Sequence, residues 1–558
     1  MLRPGFHAHA LLRPFARLAP SPLAAALGCV TLAGVALLLR FPGSPRFLWL
    51  CFLLVGAATG VGLRQRDRTR RTRLRSTAHG SASWGDPTSL LSTHGLIVGE
   101  VGGELMRFDG ETHLLSIAPT GGGKGLGTVF PNLLDYPGGV FCTDIKGENF
   151  AVTSAYRANT LGQRVEAIDP FGLVGGTGRY NPLDLIDPRR SDAYDLARLI
   201  GSMLVVPEPE RHEPFWEDEA SSLISAMILY VALTAEPEHR HLGTVRHNLT
   251  LSDKALGALL KQMAATDACF GLIRRAANRI RQKEARLLSG ILASTNRHTE
   301  LLDSPSLLAT LSSSTFSMED LKLRPHSVYL VLPPHHLRTH GRWLRLLVAS
   351  ALRVLTATPG QPPCKVLLLL DEFPVLGRME VVEEAIAYAR SYGISIWMLV
   401  QDLAQLREVY RNSWETLLAN TRVKQAFATA DETTAEYLSR LTGQATVRVE
   451  SFNQSRGSSS GRNWLPNSQQ GSSQNFGETG RRLLLPDEVR RLPADRQLLF
   501  ISGQLPLLTS RVDYLRRPEL AARARPNPIY RGIAGNPVFD AQHALETNSQ
   551  LGSRAKVG

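Results

Sequence analysis

The chain is short of several things, and each shortage excludes something. Its five cysteines, Cys29, Cys51, Cys142, Cys269 and Cys364, form no Cys-x-x-Cys pair, and no Cys/His cluster has zinc spacing. That argues for reduced thiols and no structural metal. There is no His-Glu-x-x-His run, since His212-Glu213 is followed by Pro214-Phe215-Trp216; a membrane metalloprotease ATPase is excluded. No internal repeat is evident. Acidic residues are in deficit, 50 against 63 basic, for a formal net charge of +13. Such an excess points toward nucleic acid or anionic lipid. What remains is ordinary: 558 residues, 43% apolar and 20% charged, enough for a large core and more than one domain.

Charge is also missing locally. Ala19 to Leu39 and Phe47 to Leu63 carry none, and each would span roughly 25–32 Å as a helix, close to a bilayer core of about 30 Å. The first run alone would read as a cleaved signal peptide. A second run so soon after it, across the tight turn Arg40-Phe-Pro-Gly-Ser-Pro-Arg46, favours a hairpin of two transmembrane helices. Arg3, Arg13 and Arg17 precede the hairpin, and Arg64, Arg66, Arg68, Arg70, Arg71, Arg73 and Arg75 follow it. Positive flanks stay in the cytoplasm, so residues 1–75 are expected to form a multi-pass anchor with the bulk of the chain cytoplasmic. The arginine run suits anionic headgroups, with DNA contact as the alternative.

After Ser76 to Asp86, apolar runs and helical patterns alternate. Leu114–Ala118, Val140–Thr143, Val165–Ile168, Val328–Leu332, Val366–Leu370, Ile394–Val400, Val423–Ala428 and Leu498–Ile501 read as strands. Most are near-continuous apolar runs, as in a parallel sheet covered on both faces. From about Asp187 to Asp320 the periodicity is helical, clearest at Leu223–Leu233, Ser252–Ala264, Cys269–Arg279 and Glu284–Thr295. This predicts an all-α insertion within an α/β domain. Glu450–Gly480, rich in Ser, Gly, Asn and Gln, predicts a flexible loop.

The first of these strands leads into Pro119-Thr120-Gly121-Gly122-Gly123-Lys124-Gly125-Leu126, and a helix pattern follows. Glycines let backbone N–H groups cradle phosphates, the helix N-terminus adds its positive end, and the lysine reaches the terminal phosphates. Ala118 stands where a first Gly is usual, and Gly125 where a Ser or Thr hydroxyl binds magnesium. A second motif supports the first. Lys365-Val-Leu-Leu-Leu-Leu-Asp371-Glu372 is an apolar strand ending in two carboxylates, at the strand end where open α/β sheets bind ligands. Asp371 would hold Mg²⁺, directly or through water, and Glu372 would act as general base on the attacking water. Gln401 ends a third strand, where it can orient that water or sense the γ-phosphate. Arg390 lies between Asp371 and Gln401 and could stabilise the transferred phosphoryl group from a neighbouring subunit.

In order, these pieces resemble the type IV coupling proteins, the TraG-type ATPases of conjugation and type IV secretion. The resemblance adds Ala78-His-Gly-Ser-Ala82, Asp144-Ile-Lys-Gly-Glu-Asn149, Tyr180-Asn-Pro-Leu-Asp184, Phe215-Trp-Glu217, Gln401-Asp-Leu403 and Leu484-Leu-Pro-Asp-Glu488, and covers nearly the whole chain. Asp144 and Lys146 match the family's acidic-basic run near the nucleotide, and Arg390 its arginine finger in trans. The resemblance implies a RecA-like P-loop NTPase core (residues 76–186 and 321–530) with the all-α domain at 187–320, a tail at 531–558, and the two-helix transmembrane anchor in front. It implies ATP and Mg²⁺ as cofactors, a homo-hexamer in the bacterial inner membrane, and single-stranded DNA passing through its channel. Its implied partners are a relaxase–DNA complex and the inner-membrane components of the secretion channel. The expected function is therefore an ATPase that feeds relaxase-bound DNA to a type IV secretion channel. DNA held by net charge alone should bind more weakly as salt rises. The alternatives are a secretion receptor for protein effectors, a chromosome-segregation pump, or a scaffold that binds ATP without turnover. The segregation pump shares only the core; Gly125 is the feature that favours the scaffold. No long acidic C-terminal tail for substrate docking is seen.

Overall fold

The structure is a computed structural model and describes residues 77–110, 112–206, 215–458 and 468–528. The two expected transmembrane segments, the arginine run to Arg75 and the tail at 531–558 lie outside the described residues. No helix among those described is long and apolar enough to cross a membrane.

The strands are β1 (Leu96–Val101), β2 (Glu104–Phe108), β3 (His113–Ile117), β4 (Val140–Asp144), β5 (Arg164–Ile168), β6 (His326–Val331), β7 (Val366–Leu370), β8 (Ile394–Val400), β9 (Thr421–Ala426), β10 (Gln444–Ser458), β11 (Ser468–Arg482), β12 (Arg496–Ile501) and β13 (Leu507–Ser510). Eleven of them form one sheet in the order β2-β1-β13-β12-β9-β3-β8-β7-β4-β6-β5. From β9 to β5 every pairing is parallel, and from β9 to β2 every pairing is antiparallel.

The parallel part follows directly from the apolar runs. Every residue of β3, β4, β6, β7 and β8 is buried. Side chains alternate across a strand, so Val366, Leu368 and Leu370 of β7 enter one core while Leu367 and Leu369 enter the other. Between residues 187 and 320 the described residues form helices and no strand. The helix Phe215–Thr234 is the centre of this group. It packs against Ala193–Leu204, Leu242–Leu249 and Ala285–Thr299, which accounts for an apolar surface too broad for a single stripe.

Three strands were not anticipated, and one expectation needs correction. β1, β2 and β13 were not evident as strands, because they are short and partly exposed. Gly102 and Gly103, both at positive φ, join β1 to β2 as a two-residue hairpin turn. The expected loop at 450–480 contains most of β10 and β11, which pair as a separate two-stranded sheet. A ladder is held by backbone groups, which polar composition leaves intact. Residues 77–81 group with this strand pair, and the Gly80 carbonyl accepts from the Thr446 N–H at 3.2 Å. The other described residues form a larger unit of their own.

Candidate functional site

β3, β8, β7 and β4 lie side by side and parallel, so they deliver their C-terminal residues to one edge of the sheet. The glycine-rich loop leaves β3, Gln401 follows β8, Asp371 and Glu372 follow β7, and Asp144 ends β4. Together they surround a cavity of about 400 Å³. Of the residues singled out from the sequence, all but Gly122 and Arg390 line it.

The loop takes its shape from its glycines. Gly121 and Gly123 have φ of +77° and +89°, a region glycine enters without the steric cost of a Cβ. The Gly122 N–H closes a turn on the Pro119 carbonyl at 3.0 Å. The chain then winds through a π-helical turn, Gly125–Val129, into the helix Phe130–Leu133. Gly125 has a structural reason to lack a side chain. A Cβ there would sit 3.3 Å from the Phe130 ring, and that ring is fixed edge-on against Tyr514 at 5.3 Å.

The charged groups are already engaged with one another. Lys124 Nζ donates to Glu372 Oε1 at 3.0 Å, and Gln401 Nε2 donates to Glu372 Oε2 at 3.0 Å. Glu372 has φ +51°, a conformation that costs a residue bearing a Cβ about 1–2 kcal/mol. It is held there by its own N–H to Asp371 Oδ1 and by the Val375 N–H on its carbonyl. Strained backbone of this sort gathers at functional sites. Burial pushes the Asp371 carboxyl up to about 6; Glu372 adds to the shift, while Lys124 and Lys146 oppose it. Burial pushes Asp144 up to about 7, against the Phe150 N–H that it accepts at 2.9 Å. In both, the loss of hydration outweighs the groups that favour the charged form.

Arg390 is elsewhere. It is exposed in the 3-10 turn Ala389–Tyr392, just before β8; burial, and after it the Arg390 charge, lowers the pKa of His113 at the start of β3. Gln401 is at the other end of the seven-residue β8, so the strand separates the two by about 20 Å. Arg390 therefore stands at the sheet edge opposite its own chain's cavity. The sequence reading missed Phe130, Glu148, Asn149, Leu337, Tyr514 and Asn527, which also line the cavity. Glu148 and Asn149 belong to the run Asp144-Ile-Lys-Gly-Glu-Asn149. Tyr514 and Asn527 follow the antiparallel strands and carry no motif; Asn527 Nδ2 donates to Glu148 Oε1 at 2.9 Å.

Comparison with known proteins gives consistent matches. The family model for type IV secretory system conjugative DNA transfer matches residues 63–531. A conjugal transfer protein TraG of Escherichia coli is 28% identical over 451 residues, covering 75% of this chain and 69% of that protein. Protein VirD4 of Agrobacterium fabrum is 30% identical over 425 residues, covering 72% and 59%. Among solved structures, the conjugative coupling protein TrwB in complex with the ATP analogue ADPNP superposes with a TM-score of 0.57 at 16% identity, covering 78% of this chain and 95% of that one. TrwB with ADP and Mg²⁺ gives 0.56 at 15%, covering 76% and 91%. At these identities the likeness is one of fold, an α/β P-loop NTPase fold with a large parallel sheet.

Proposed function

The chain belongs to the type IV secretory system conjugative DNA transfer family, and from that premise we propose that it is an inner-membrane ATPase that recruits relaxase-bound single-stranded DNA and delivers it to a type IV secretion channel. The observation that carries this reading is the meeting of Lys124, Asp371, Glu372 and Gln401 around one cavity at the strand ends. The residues fit a magnesium nucleotide. The positive-φ glycines shape a cradle, and the Asp371 and Asp144 carboxyls line the same cavity as Lys124 and Lys146. TrwB, which shares the fold, binds ADP with Mg²⁺.

Lys124 cannot serve Glu372 and a phosphate equally. Reaching for the β- and γ-phosphates draws it off Glu372, whose carboxylate is then open to take a proton from the attacking water. Gln401, already hydrogen-bonded to Glu372, orients that water. Magnesium, held by Asp371 directly or through water, would neutralise charge on the phosphates. Lys146 lines the same cavity, exposed at its rim, and adds positive charge there. Arg390, on the far edge of its own sheet, would serve a neighbour's site in a ring of six. The helices of 187–320 read the cargo, and residues 1–75 anchor the chain in the bacterial inner membrane with its bulk in the cytoplasm. The test is ATP hydrolysis by the purified full-length chain with and without single-stranded DNA. DNA-stimulated turnover, lost in Lys124→Ala, is the expected result. Equal hydrolysis by the wild type and that variant rejects the reading.

A further inference from the structure

Arg511, just past β13, lies against the outer side of the glycine-rich loop. Its guanidinium donates to the Gly122 carbonyl and rests over the Phe427 ring, 5.5 Å from the centroid. At Gly127 a Cβ would come within 2.8 Å of the arginine's Cγ, and at Gly123 a Cβ would run into the guanidinium itself. These two glycines make room for this arginine as well as shaping the loop. Ala428, beside Phe427, has φ +53° and packs where a Gly122 Cβ would approach to 3.3 Å. Such backbone strain persists only where the surroundings over-determine it. Arg511 is half-buried, and the Asp513 and Asp495 carboxylates act on its charge from beyond ion-pair distance.

The hydrogen bond has a consequence for the phosphate site. In a trans peptide the carbonyl and the N–H of the same unit point opposite ways. With the Gly122 carbonyl turned outward onto Arg511, the Gly123 N–H is turned inward. Gly121 and Gly123 line the cavity and Gly122 does not. The Gly123 N–H has no backbone acceptor among the described residues.

We propose that Arg511 is a positioning residue for phosphate. It locks the Gly122–Gly123 peptide with its N–H aimed into the cavity and places a guanidinium behind the loop. The inference rests on the nucleotide reading of this site. An amide aimed at a phosphate before it arrives should strengthen binding of the triphosphate and act little on the chemical step.

The test uses the purified full-length chain with ATP and with inorganic triphosphate as probes, measuring dissociation constants, KM and kcat. Arg511→Met keeps the stem over Gly127 but has neither donor nor charge. It should weaken triphosphate binding and raise the KM for ATP by about ten-fold, the worth of one charge-assisted hydrogen bond, with most of kcat retained. Arg511→Lys, which restores charge and a donor, should recover most of the loss. A wild-type KM in Arg511→Met, or a loss that Lys does not relieve, overturns the proposal. If the Met variant does not fold, Arg511→Gln takes its place. It keeps a neutral donor and should raise KM about three-fold; a wild-type KM in it is equally decisive against. A wild-type chain that binds neither probe rejects the nucleotide site itself, whereas a wild type that binds both alongside an unaffected Met variant rejects only the role of Arg511.

Discussion

Glu372 concentrates the site's chemistry in one residue. It holds a left-handed backbone conformation, accepts from Lys124 and Gln401, and follows a carboxyl that is pushed up in pKa. Glu372→Gln is nearly isosteric and removes only the basic oxygen. It should leave ATP binding within a few-fold of wild type and lower kcat by about 100-fold or more, the usual worth of a general base. Steady-state hydrolysis beside equilibrium nucleotide binding checks this, and an unchanged kcat would remove Glu372 from the chemistry. Gly125 makes the converse case. Gly125→Ser would restore the hydroxyl that the sequence lacks, yet its Cβ would press on a Phe130 ring braced by Tyr514. The variant should lose about 1–3 kcal/mol of stability, as overpacked sites do, with no gain in Mg²⁺–ATP affinity. Denaturant midpoints and nucleotide titrations decide it; a tighter-binding, equally stable variant would contradict this account of the missing side chain.

At the scale of elements, a buried polar network joins the strands beneath the glycine-rich loop. Gln425 of β9 accepts from Ser116 of β3 at 2.7 Å and from Thr128 of the π-helical turn at 3.0 Å, and it donates to Gln497 of β12 at 2.8 Å. Trp397 of β8 donates to Ser116 at 2.9 Å. Gln425→Leu should cost about 3 kcal/mol or more in urea unfolding, because it leaves several buried groups without partners. A loss below about 0.5 kcal/mol would show that the network is not structural. This network also marks where the sequence stopped being legible. The Leu run of β7 and the apolar run of β8 announced themselves, since burial on both faces needs apolar residues throughout. Lys124, Asp371, Glu372 and Gln401 were legible because each ends such a run or sits in a glycine-rich turn. Gln425, Arg511, Tyr514 and Asn527 were not. Their importance comes from contacts with residues hundreds of positions away, and no local pattern records those. β10 and β11 were hidden for another reason: composition reports the lack of a core, whereas a ladder depends on backbone.

At the scale of the whole molecule, the question is which subunit Arg390 serves. Within one chain it stands on the opposite edge of the sheet from Glu372 and Gln401, a strand length of about 20 Å away. No rotamer of a single arginine covers that distance. If it stabilises transferred phosphoryl charge at all, it does so on a neighbouring copy. Lys124→Ala and Arg390→Ala should then each abolish hydrolysis in uniform rings, the first by losing a phosphate contact and the second by losing transition-state charge. A one-to-one mixture of the two behaves differently. Where an Arg390→Ala subunit presents its intact cavity to a Lys124→Ala subunit's intact arginine, the interface is complete. Random assembly of a head-to-tail ring makes about one interface in four of this kind, so the mixture should recover up to about a quarter of wild-type turnover. If Arg390 worked within its own chain, every subunit in the mixture would carry a defect at its own site, and hydrolysis would stay at the level of the separate variants. Mixing the variants before assembly and measuring phosphate release separates the two outcomes.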